Sequence, residues 1–466
     1  LHQLELVNLN PFADPMLWLE LATKPELLNA FAGVSKSVKK LDLCCEINER
    51  YTHEQIIEQL EFDIIEPTCH DVLEVFKLLF FGNLYQDLTE FVLHDLGVTP
   101  YESYALDSSG RYFNERSLLE AMLEAYRVQA ASEEVMQNED FSLAEFAQSY
   151  LLPIEVTERQ LERRYSKVFN RVARQLERES ELALALELYE KSSVPPARER
   201  RARILAGEGN IMGALQLCRQ ILDEPMSEAE YEFATGFAFR TSKKLDAVDV
   251  PEWIEAKPKD AFALDHFELS ETEFGVEESV AEYFRNQGAV AEHVENGLLP
   301  GLFGLLFWPA IFAPVKGVFF NPFQRGPADL YSQEFRAQRE TMLAKRFSLL
   351  GQPDELRSTI LATYAEKYGL ANNFVMWRSL NPELIELALD RIPSEHLTVI
   401  FERLMRDLKG NRSGFPDLVV FPGEGGYELV EVKGPGDVLQ NNQKRWLRCF
   451  GDHDIPASVV HVTWKT

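Results

Sequence analysis

The sequence predicts a multidomain protein with mostly α-helical N-terminal and middle regions and a C-terminal α/β domain. The chain has 466 residues, which is enough for about three domains of ordinary size. Helix-type apolar patterns with capping residues recur before residue 275. Within residues 276–466, two strand-like runs are followed by a helix and a further strand.

We expect residues 1–150 to form a helical N-terminal region. Thr52 and Gln55 form a capping-box pattern at the start of one helix. A small basic loop before it carries Lys39 and Lys40. Short helices beside such a loop can contact a phosphate backbone, although an ordinary solvated turn has the same pattern.

The predicted middle domain, residues 151–275, contains the basic part of an acidic chain. Residues 159–203 hold 12 Lys or Arg and seven Glu, a balance of +5 (12 − 7) in a chain of net charge −28. Several of these basic residues recur at three- and four-residue steps, which places them on one helix face. They include Arg163, Lys167, Arg171 and Arg174. Such a face can follow DNA phosphates, or it can be neutralised by Glu177, Glu179 and Glu181.

The rest of the middle domain has a tetratricopeptide-like pattern of paired helices with small-residue turns. One such unit does not establish a repeat. Residues 243–275 carry many acidic residues and two prolines, so we expect an irregular connection there.

A β-hairpin is predicted near the C-terminus. The runs Leu418–Phe421 and Tyr427–Val432 are rich in apolar residues, and the five residues between them include three Gly and one Pro. A five-residue loop sets a register in which Asp417 lies opposite Glu431, with Cβ atoms about 5 Å apart. Because side chains alternate along a strand, Glu431 and Lys433 share a face.

These charged residues indicate a metal site. Two facing carboxylates repel each other, and a divalent cation cancels the repulsion. Hard oxygen ligands of this kind suit Mg²⁺ or Mn²⁺. Such a cation can activate water at a phosphoryl group, while Lys433 stabilises the developing negative charge. The alternative is a surface hairpin with solvated charges.

A helix is predicted to follow the hairpin and to run through Phe450, with Gln443 and Trp446 on its inward face. Gln443 is polar on that face, so it needs a partner there. The strand Ser458–Val462 then completes a βαβ-like unit.

The segment Leu298–Val315 has 18 uncharged residues, close to transmembrane length. Its three prolines and two glycines favour a buried helix ending near Trp308, followed by an apolar loop, so we expect no membrane segment. Glu295 is the last charged residue before this run. A carboxylate at the entrance of a buried helix is costly unless it is paired or binds a metal. Glu292 is the alternative at this position.

The overall composition restricts the function. A net charge of −28 argues against non-specific coating of DNA, because phosphate contacts need Lys and Arg. The five cysteines include no C-x-x-C pair, which fits a reducing compartment and no zinc site. The sequence begins with Leu1 rather than Met, so we expect it to be incomplete.

Several motifs resemble those of a known nuclease family. Pro416–Asp417 followed by Glu431–Lys433 matches the PD-(D/E)-x-K signature, which implies an α/β PD-(D/E)xK nuclease domain. The flanking Gly-Phe-Pro-Asp, Gly-Pro-x-Asp and Gln-x-x-Trp patterns are similar to the VRR-NUC branch of that superfamily. The segments His293–Trp308 and Leu88–Val98 resemble the Fanconi-associated nuclease family.

The resemblance implies a structure-selective DNA endonuclease and 5′→3′ exonuclease that cuts branched DNA, notably 5′ flaps, in interstrand crosslink repair. It also implies a complete set of site residues. The metal ligands are Glu295, Asp417, Glu431 and the carbonyl of Val432, the catalytic lysine is Lys433, and Gln443 supports the site. The N-terminal region then contains a SAP-like DNA-binding module that includes Lys39 and Lys40.

Eukaryotic members of that family carry a ubiquitin-binding zinc finger. No Cys/His cluster in this sequence forms one, which favours a bacterial-type member or a truncated chain. We expect a monomer or weak dimer, located in the cytoplasm (nucleoid) of a bacterium or the nucleus of a eukaryote. Two alternatives remain open: a dimeric Holliday-junction-type resolvase, and an inactive helical interaction scaffold.

Overall fold

The computed structural model describes residues 7–9, 14–60, 62, 65–67, 69–107, 110–138, 140–255, 262–270 and 273–465. The chain forms two compact units, Leu1–Leu78 and Leu79–Thr466. The first unit contains the basic loop, and the second contains the basic helix and the predicted hairpin.

The first unit is helical with a two-stranded sheet. Strands β1 (Val7–Leu9) and β2 (Ile65–Pro67) pair antiparallel. The helices are α1 (Pro15–Leu21), α2 (Lys24–Ala30), α3 (Lys40–Arg50), α4 (His53–Leu60) and α5 (His70–Phe81). Helix α5 begins in the first unit and ends in the second. Trp18, Leu27 and Ile47 lie in the buried core. Thr52 and Gln55 exchange the predicted capping-box hydrogen bonds before α4, so this helix start is confirmed.

Helices α6 to α13 form the first, all-helical part of the second unit. They are α6 (Thr89–Asp95), α7 (Arg116–Gln137), α8 (Leu143–Phe146), α9 (Arg159–Arg178), α10 (Leu182–Glu190), α11 (Ala197–Gly207), α12 (Ile211–Asp223) and α13 (Glu228–Ser242). Each helix from α9 to α13 packs against the next one. This packing agrees with the paired helices expected for the middle domain.

A mixed five-stranded sheet lies at the centre of the C-terminal region, in the order β3-β7-β6-β5-β4. The strands are β3 (Ala263–Leu269), β4 (Val290–His293), β5 (Leu418–Phe421), β6 (Glu428–Lys433) and β7 (Ala457–Trp464). β5 and β6 form the predicted antiparallel hairpin, and β6 runs parallel to β7 after a crossover through α22 (Asn441–Asp452). The predicted βαβ-like unit is therefore confirmed.

The expectation of an irregular connection over residues 243–275 is wrong for part of that segment. Residues 263–269 form β3, which pairs in parallel with β7 at the edge of the sheet. Most side chains of β3 are exposed, so the segment lacks the apolar run by which a buried strand is recognised. Its hydrogen bonds to β7 stabilise it instead.

Helices cover both faces of the sheet. Val280 of α14 (Val276–Asn286) packs with Val430 and Val432 on one face. Val419 and Leu429 point to the other face and join the main core. The remaining helices are α15 (Leu298–Leu306), α16 (Trp308–Ile311), α17 (Glu334–Ala337), α18 (Glu340–Phe347), α19 (Pro353–Lys367), α20 (Pro382–Arg391) and α21 (Ser394–Arg406).

The apolar segment near residue 300 forms a core helix. All nine residues of α15 are buried, and the helix ends at Leu306, close to the predicted end. The short helix α16 follows where an apolar loop was predicted. Over the described part of the chain, every helix is too short or too polar to cross a membrane.

Candidate active site

The hairpin brings Asp417 next to Glu431. The observed pairs are Leu418 with Val430 and Val419 with Leu429, which is the predicted register. Continued by one residue, this register places Asp417 opposite Glu431. Asp417 Oδ2 also accepts a hydrogen bond from the backbone N–H of Val432 at 2.8 Å, so the carboxylate reaches across to β6.

Glu431 is an ionisable side chain in the core. It has 0% relative exposure, and its Oε1 accepts hydrogen bonds from Lys433 Nζ and Gln443 Nε2, both at 2.6 Å. Its Oε2 is buried and has no hydrogen-bond partner among the described residues. Burial, and next the charge of Asp417, raise the pKa of Glu431 to about 8 against the opposing effect of Lys433.

The pKa of Asp417 is also raised. Burial is the main cause, and the negative charges of Glu277 and Glu295 add to it, while the N–H of Val432 and the charge of Lys433 oppose it. Several carboxylates therefore act on one small volume. A buried carboxylate oxygen without a partner, surrounded by like charges, fits a divalent cation with oxygen ligands.

Glu295 follows β4 and is tied by its backbone to Asp417. The N–H groups of Val294 and Glu295 both donate to the Asp417 carbonyl at 2.9 Å. Glu295 has a φ of 28°, in the left-handed region. Its side chain is exposed, and its Oε1 accepts a hydrogen bond from Asn296 Nδ2 at 2.9 Å. Among the described residues, no three His, Cys, Asp or Glu side chains already form a group that could hold a metal ion.

Asn296 connects Glu295 to the loop before Asp417. Its Oδ1 accepts hydrogen bonds from the N–H of Gly414 at 2.9 Å and of Phe415 at 3.3 Å. Gly414 has a φ of 91°, and a Cβ there would lie 2.8 Å from the backbone of Asn442. The first glycine of the Gly-Phe-Pro-Asp motif is therefore required by both backbone conformation and close approach.

Gln443 uses both ends of its amide. Its Oε1 accepts a hydrogen bond from the N–H of Gln440 at 2.8 Å, which caps α22, and its Nε2 donates to Glu431. The partner that the inward-facing amide needs is thus Glu431. Trp446, one turn further along α22, is buried and packs against Phe415 with ring centroids 4.1 Å apart and the rings tilted by 31°.

The basic face predicted for the middle domain lies on α9. Arg163 and Lys167 are exposed and have no acidic partner among the described residues. Arg171 pairs with Glu133, and Arg174 pairs with Glu177 at 2.9 Å. Two of the four basic residues are therefore neutralised by acidic neighbours. Of the three glutamates named as alternatives, only Glu177 is one of those neighbours.

A lysine outside α9 belongs to the same positive field. Desolvation, and next the charges of Arg163, Arg164 and Lys409, lower the pKa of Lys167. Lys409, which precedes Asp417 in the chain, therefore lies close to the basic face of α9. Sequence reasoning did not single out Lys409, because one lysine in a loop shows no periodicity.

The two lysines of the N-terminal loop lie in the first unit. Lys39 is the exposed residue before α3. Lys40 begins α3, and its Nζ donates to the carbonyl of Glu20 at 2.5 Å. The amine of Lys40 is therefore already used inside its own unit, whereas that of Lys39 is accessible.

Glu277 is a site neighbour that sequence reasoning missed. It lies in the first turn of α14 and is close enough to raise the pKa of Asp417. Its signal in the sequence was an acidic first turn on the helix between β3 and β4. That signal is shared by ordinary helices, because acidic residues stabilise any helix N-terminus.

The fold and this site define a nuclease domain of the PD-(D/E)xK type, and comparison with known proteins agrees. The sequence pattern of the VRR-NUC domain matches residues 351–464. A "Fanconi-associated nuclease 1 homolog" from Pseudomonas aeruginosa is 37% identical over 417 residues, which are 88% of this chain and 72% of that protein. The chain belongs to the Fanconi-associated nuclease 1 family, and it is a DNA nuclease.

Other relatives and solved structures extend the comparison. The Arabidopsis thaliana homolog of the same nuclease is 25% identical over 453 residues, and the match covers 85% of this chain but 49% of that protein. A crystal structure of paFAN1 bound to 5′ flap DNA with a two-nucleotide flap and a gap superposes with a TM-score of 0.83 and 33% identity. That match covers all of this chain (100%) and 85% of paFAN1. A second structure, with a one-nucleotide flap, gives a TM-score of 0.82.

Proposed function

We propose that this chain is a Mg²⁺- or Mn²⁺-dependent nuclease of branched DNA. It acts as a 5′ flap endonuclease and a 5′→3′ exonuclease, and it serves interstrand crosslink repair. The main support is the buried Glu431, which has one oxygen held by Lys433 and Gln443 and the other without a partner beside Asp417. The paFAN1 structures with flap DNA support the choice of substrate.

The residues divide the chemical work. Asp417 and Glu431 would hold the cation, with Glu295 as a third ligand and the carbonyl of Val432 as the fourth. When bound, the cation supplies positive charge at the phosphate and lowers the pKa of a water molecule. Lys433 donates to the oxygens of the scissile phosphate as negative charge develops, and Gln443 keeps Glu431 in place.

The DNA backbone is proposed to follow the basic face of α9 toward the hairpin. Arg163, Lys167 and Lys409 supply unneutralised or clustered positive charge for phosphates. Arg171 and Arg174 already pair with acidic side chains, so they exchange one partner for another on binding. In the first unit, Lys39 contributes a further contact as part of a SAP-like module, and Lys40 does so by exchanging the Glu20 carbonyl for a phosphate.

The protein is proposed to work as a monomer or weak dimer wherever chromosomal DNA lies: the cytoplasm (nucleoid) of a bacterium or the nucleus of a eukaryote. Sedimentation of the free protein and of its flap complex measures the oligomeric state. A stable symmetric dimer that makes paired nicks in a four-way junction would instead support the resolvase alternative.

Cleavage of an end-labelled 5′ flap in Mg²⁺, Mn²⁺, Ca²⁺ and EDTA tests the function. We expect cutting with Mg²⁺ or Mn²⁺, and none with Ca²⁺ or EDTA. Asp417→Ala should abolish cutting and leave DNA binding within about twofold, because Asp417 acts on the cation rather than on the DNA backbone. Glu424→Gln, in the exposed turn of the same hairpin, should cut normally. Cutting by Asp417→Ala at the wild-type rate would refute the site.

A further inference from the structure

Helix α13 of the middle domain contacts the helix that supports the active site. Glu232 of α13 pairs with Arg448 and with Arg445, whose Nη1 lies 3.3 Å from Glu232 Oε2. Both arginines belong to α22, and Arg445 lies two residues after Gln443. Since Gln443 donates to Glu431, a chain of contacts leads from the middle domain to the catalytic strand.

A second carboxylate, one turn earlier on α13, reaches the segment before Asp417. Glu228 pairs with Arg403 of α21 and accepts a hydrogen bond from Asn411 Nδ2 at 3.2 Å. The carbonyl of Asn411 in turn accepts a hydrogen bond from Trp446 Nε1 at 3.2 Å. Arg403 also lies over the Trp446 ring, 4.9 Å from its centroid. Glu228 therefore holds both the loop that leads to Asp417 and the middle of α22.

Ion pairs join α13 to α21 and α22, whose own apolar side chains share the main core. A cavity of about 510 Å³ lies between α13, α21 and α22. Its walls include Glu228, Glu232, Arg403, Arg445 and Arg448. The paired side chains keep only 14% to 26% relative exposure, so water cannot fully replace a lost partner. The removal of one carboxylate leaves its arginine partner without that ion pair and loosens the connection of α13 to α22.

We propose that Glu228 and Glu232 are positioning residues of the nuclease. They hold α22 and the segment before Asp417 in the arrangement that brings Gln443 and Asp417 to Glu431. The middle domain then takes part in catalysis as well as in DNA binding. The inference rests on the proposed site, because it acts through that site.

The test separates turnover from binding and from stability. Glu232→Ala should lower kcat on a 5′ flap with Mn²⁺ by roughly tenfold, as loss of a supporting partner of a metal ligand does, with KM within about twofold. Glu232→Gln keeps a hydrogen-bonding oxygen and should recover part of that loss. Glu228→Ala should act in the same direction.

Glu230→Gln is the matched control on the same helix. Glu230 is more deeply buried, at 3% exposure, and pairs with Arg198 at 2.7 Å within the middle domain. It should lower the unfolding temperature at least as much as Glu232→Ala while kcat stays at the wild-type value, measured well below that temperature. A loss of kcat in Glu230→Gln equal to that in Glu232→Ala would overturn the proposal, because the effect would then follow stability alone.

Asp417→Ala, measured in parallel, distinguishes failure of the proposed active site from failure of the proposed role of Glu228 and Glu232. If it still cuts, the proposed site is refuted and this inference with it. If it is inactive while Glu232→Ala and Glu228→Ala retain the wild-type kcat, the inference alone is refuted. A reduced kcat in both α13 variants, with unchanged KM and an unaffected control, supports it.

Discussion

Glu431 is a carboxylate whose surroundings disfavour its charge. The side chain is fully buried, and Asp417 lies opposite it in the hairpin. Such an arrangement is costly in the absence of a cation. Lys433 and Gln443 offset part of that cost through one oxygen and leave the other oxygen without a partner. The cost should therefore be measurable in the metal-free protein.

The measurement is thermal unfolding in EDTA as a function of pH. The folded protein holds the Glu431 proton more tightly than the unfolded chain, because the pKa is raised from 4.5 to about 8. This contribution to stability is complete below pH 4.5, the ordinary pKa of the carboxyl, and it is lost as the pH rises through 8. Glu431→Gln imitates the protonated acid, so it should unfold at a higher temperature than the wild type at pH 8 but not below 4.5.

The exposed turn of the hairpin provides the control for that comparison. Glu424→Gln should show no pH-dependent difference from the wild type, because Glu424 is exposed. Equal effects of Glu431→Gln at both ends of the pH range would contradict the assignment of a raised pKa to Glu431.

Asn296 makes three hydrogen bonds that hold Glu295 and the loop before Asp417 together. Asn296→Ala leaves two backbone N–H groups without their acceptor, which costs about 1–3 kcal/mol each if water does not replace it. We expect a lower unfolding temperature and slower cleavage. Asn296→Asp keeps the acceptor for Gly414 and Phe415 and should retain more stability. Thermal melts and flap cleavage measure both effects, and equal stability of the two variants would contradict this role.

At the level of elements, the loop before β5 and the start of α22 must approach closely. A Cβ on Gly414 would lie 2.8 Å from the backbone of Asn442, and φ at Gly414 is 91°. Gly414→Ala therefore combines backbone strain with a steric clash and should destabilise the protein by more than the roughly 1 kcal/mol typical of strain alone.

A glycine in the hairpin turn separates backbone strain from steric clash. Gly426 has a φ of 77°, but nothing lies within 4 Å of a Cβ built there. Gly426→Ala should therefore show strain without the clash and cut at close to the wild-type rate. Chemical denaturation of the two variants gives the difference, and an equal loss of stability in both would contradict the clash.

The hairpin register could be predicted because turn length fixes pairing, and pairing fixes which side chains meet. The register is set locally, by the residues from Asp417 to Lys433. The strand β3 could not be predicted in the same way. Its partner, β7, is nearly 200 residues away in the chain, as the pair Ala263 with Ser458 shows, and its exposed side chains carry no apolar pattern.

The site was predictable only as far as its local motifs. Asp417, Glu431 and Lys433 follow from spacing, and Gln443 follows from its position on the inward face of a helix. Glu277 and Lys409 did not stand out, because their neighbours in space come from other parts of the chain. The ion pairs of Glu228 and Glu232 were invisible for the same reason, since an acidic helix start is common in any sequence.

At the level of the whole molecule, a chain of net charge −28 must bind phosphates with a small basic region. Lys167→Ala and Lys409→Ala should each weaken flap binding and reduce the slope of log affinity against log salt by about one. Arg174→Ala is the matched comparison. Its guanidinium already pairs with Glu177 at 2.9 Å, so a smaller change is expected. Fluorescence anisotropy in Ca²⁺ over a range of salt concentrations measures the binding of all three variants. If the two lysine variants keep the salt slope of the wild type, a DNA path over this region is contradicted.

The proposed catalytic residues of this protein are also part of its interior. Glu431 and Lys433 lie on a central strand whose neighbours on both sides are the sheet itself. Unfolding of the second unit should therefore remove the proposed site together with the sheet, so cleavage is expected to end as that unit melts.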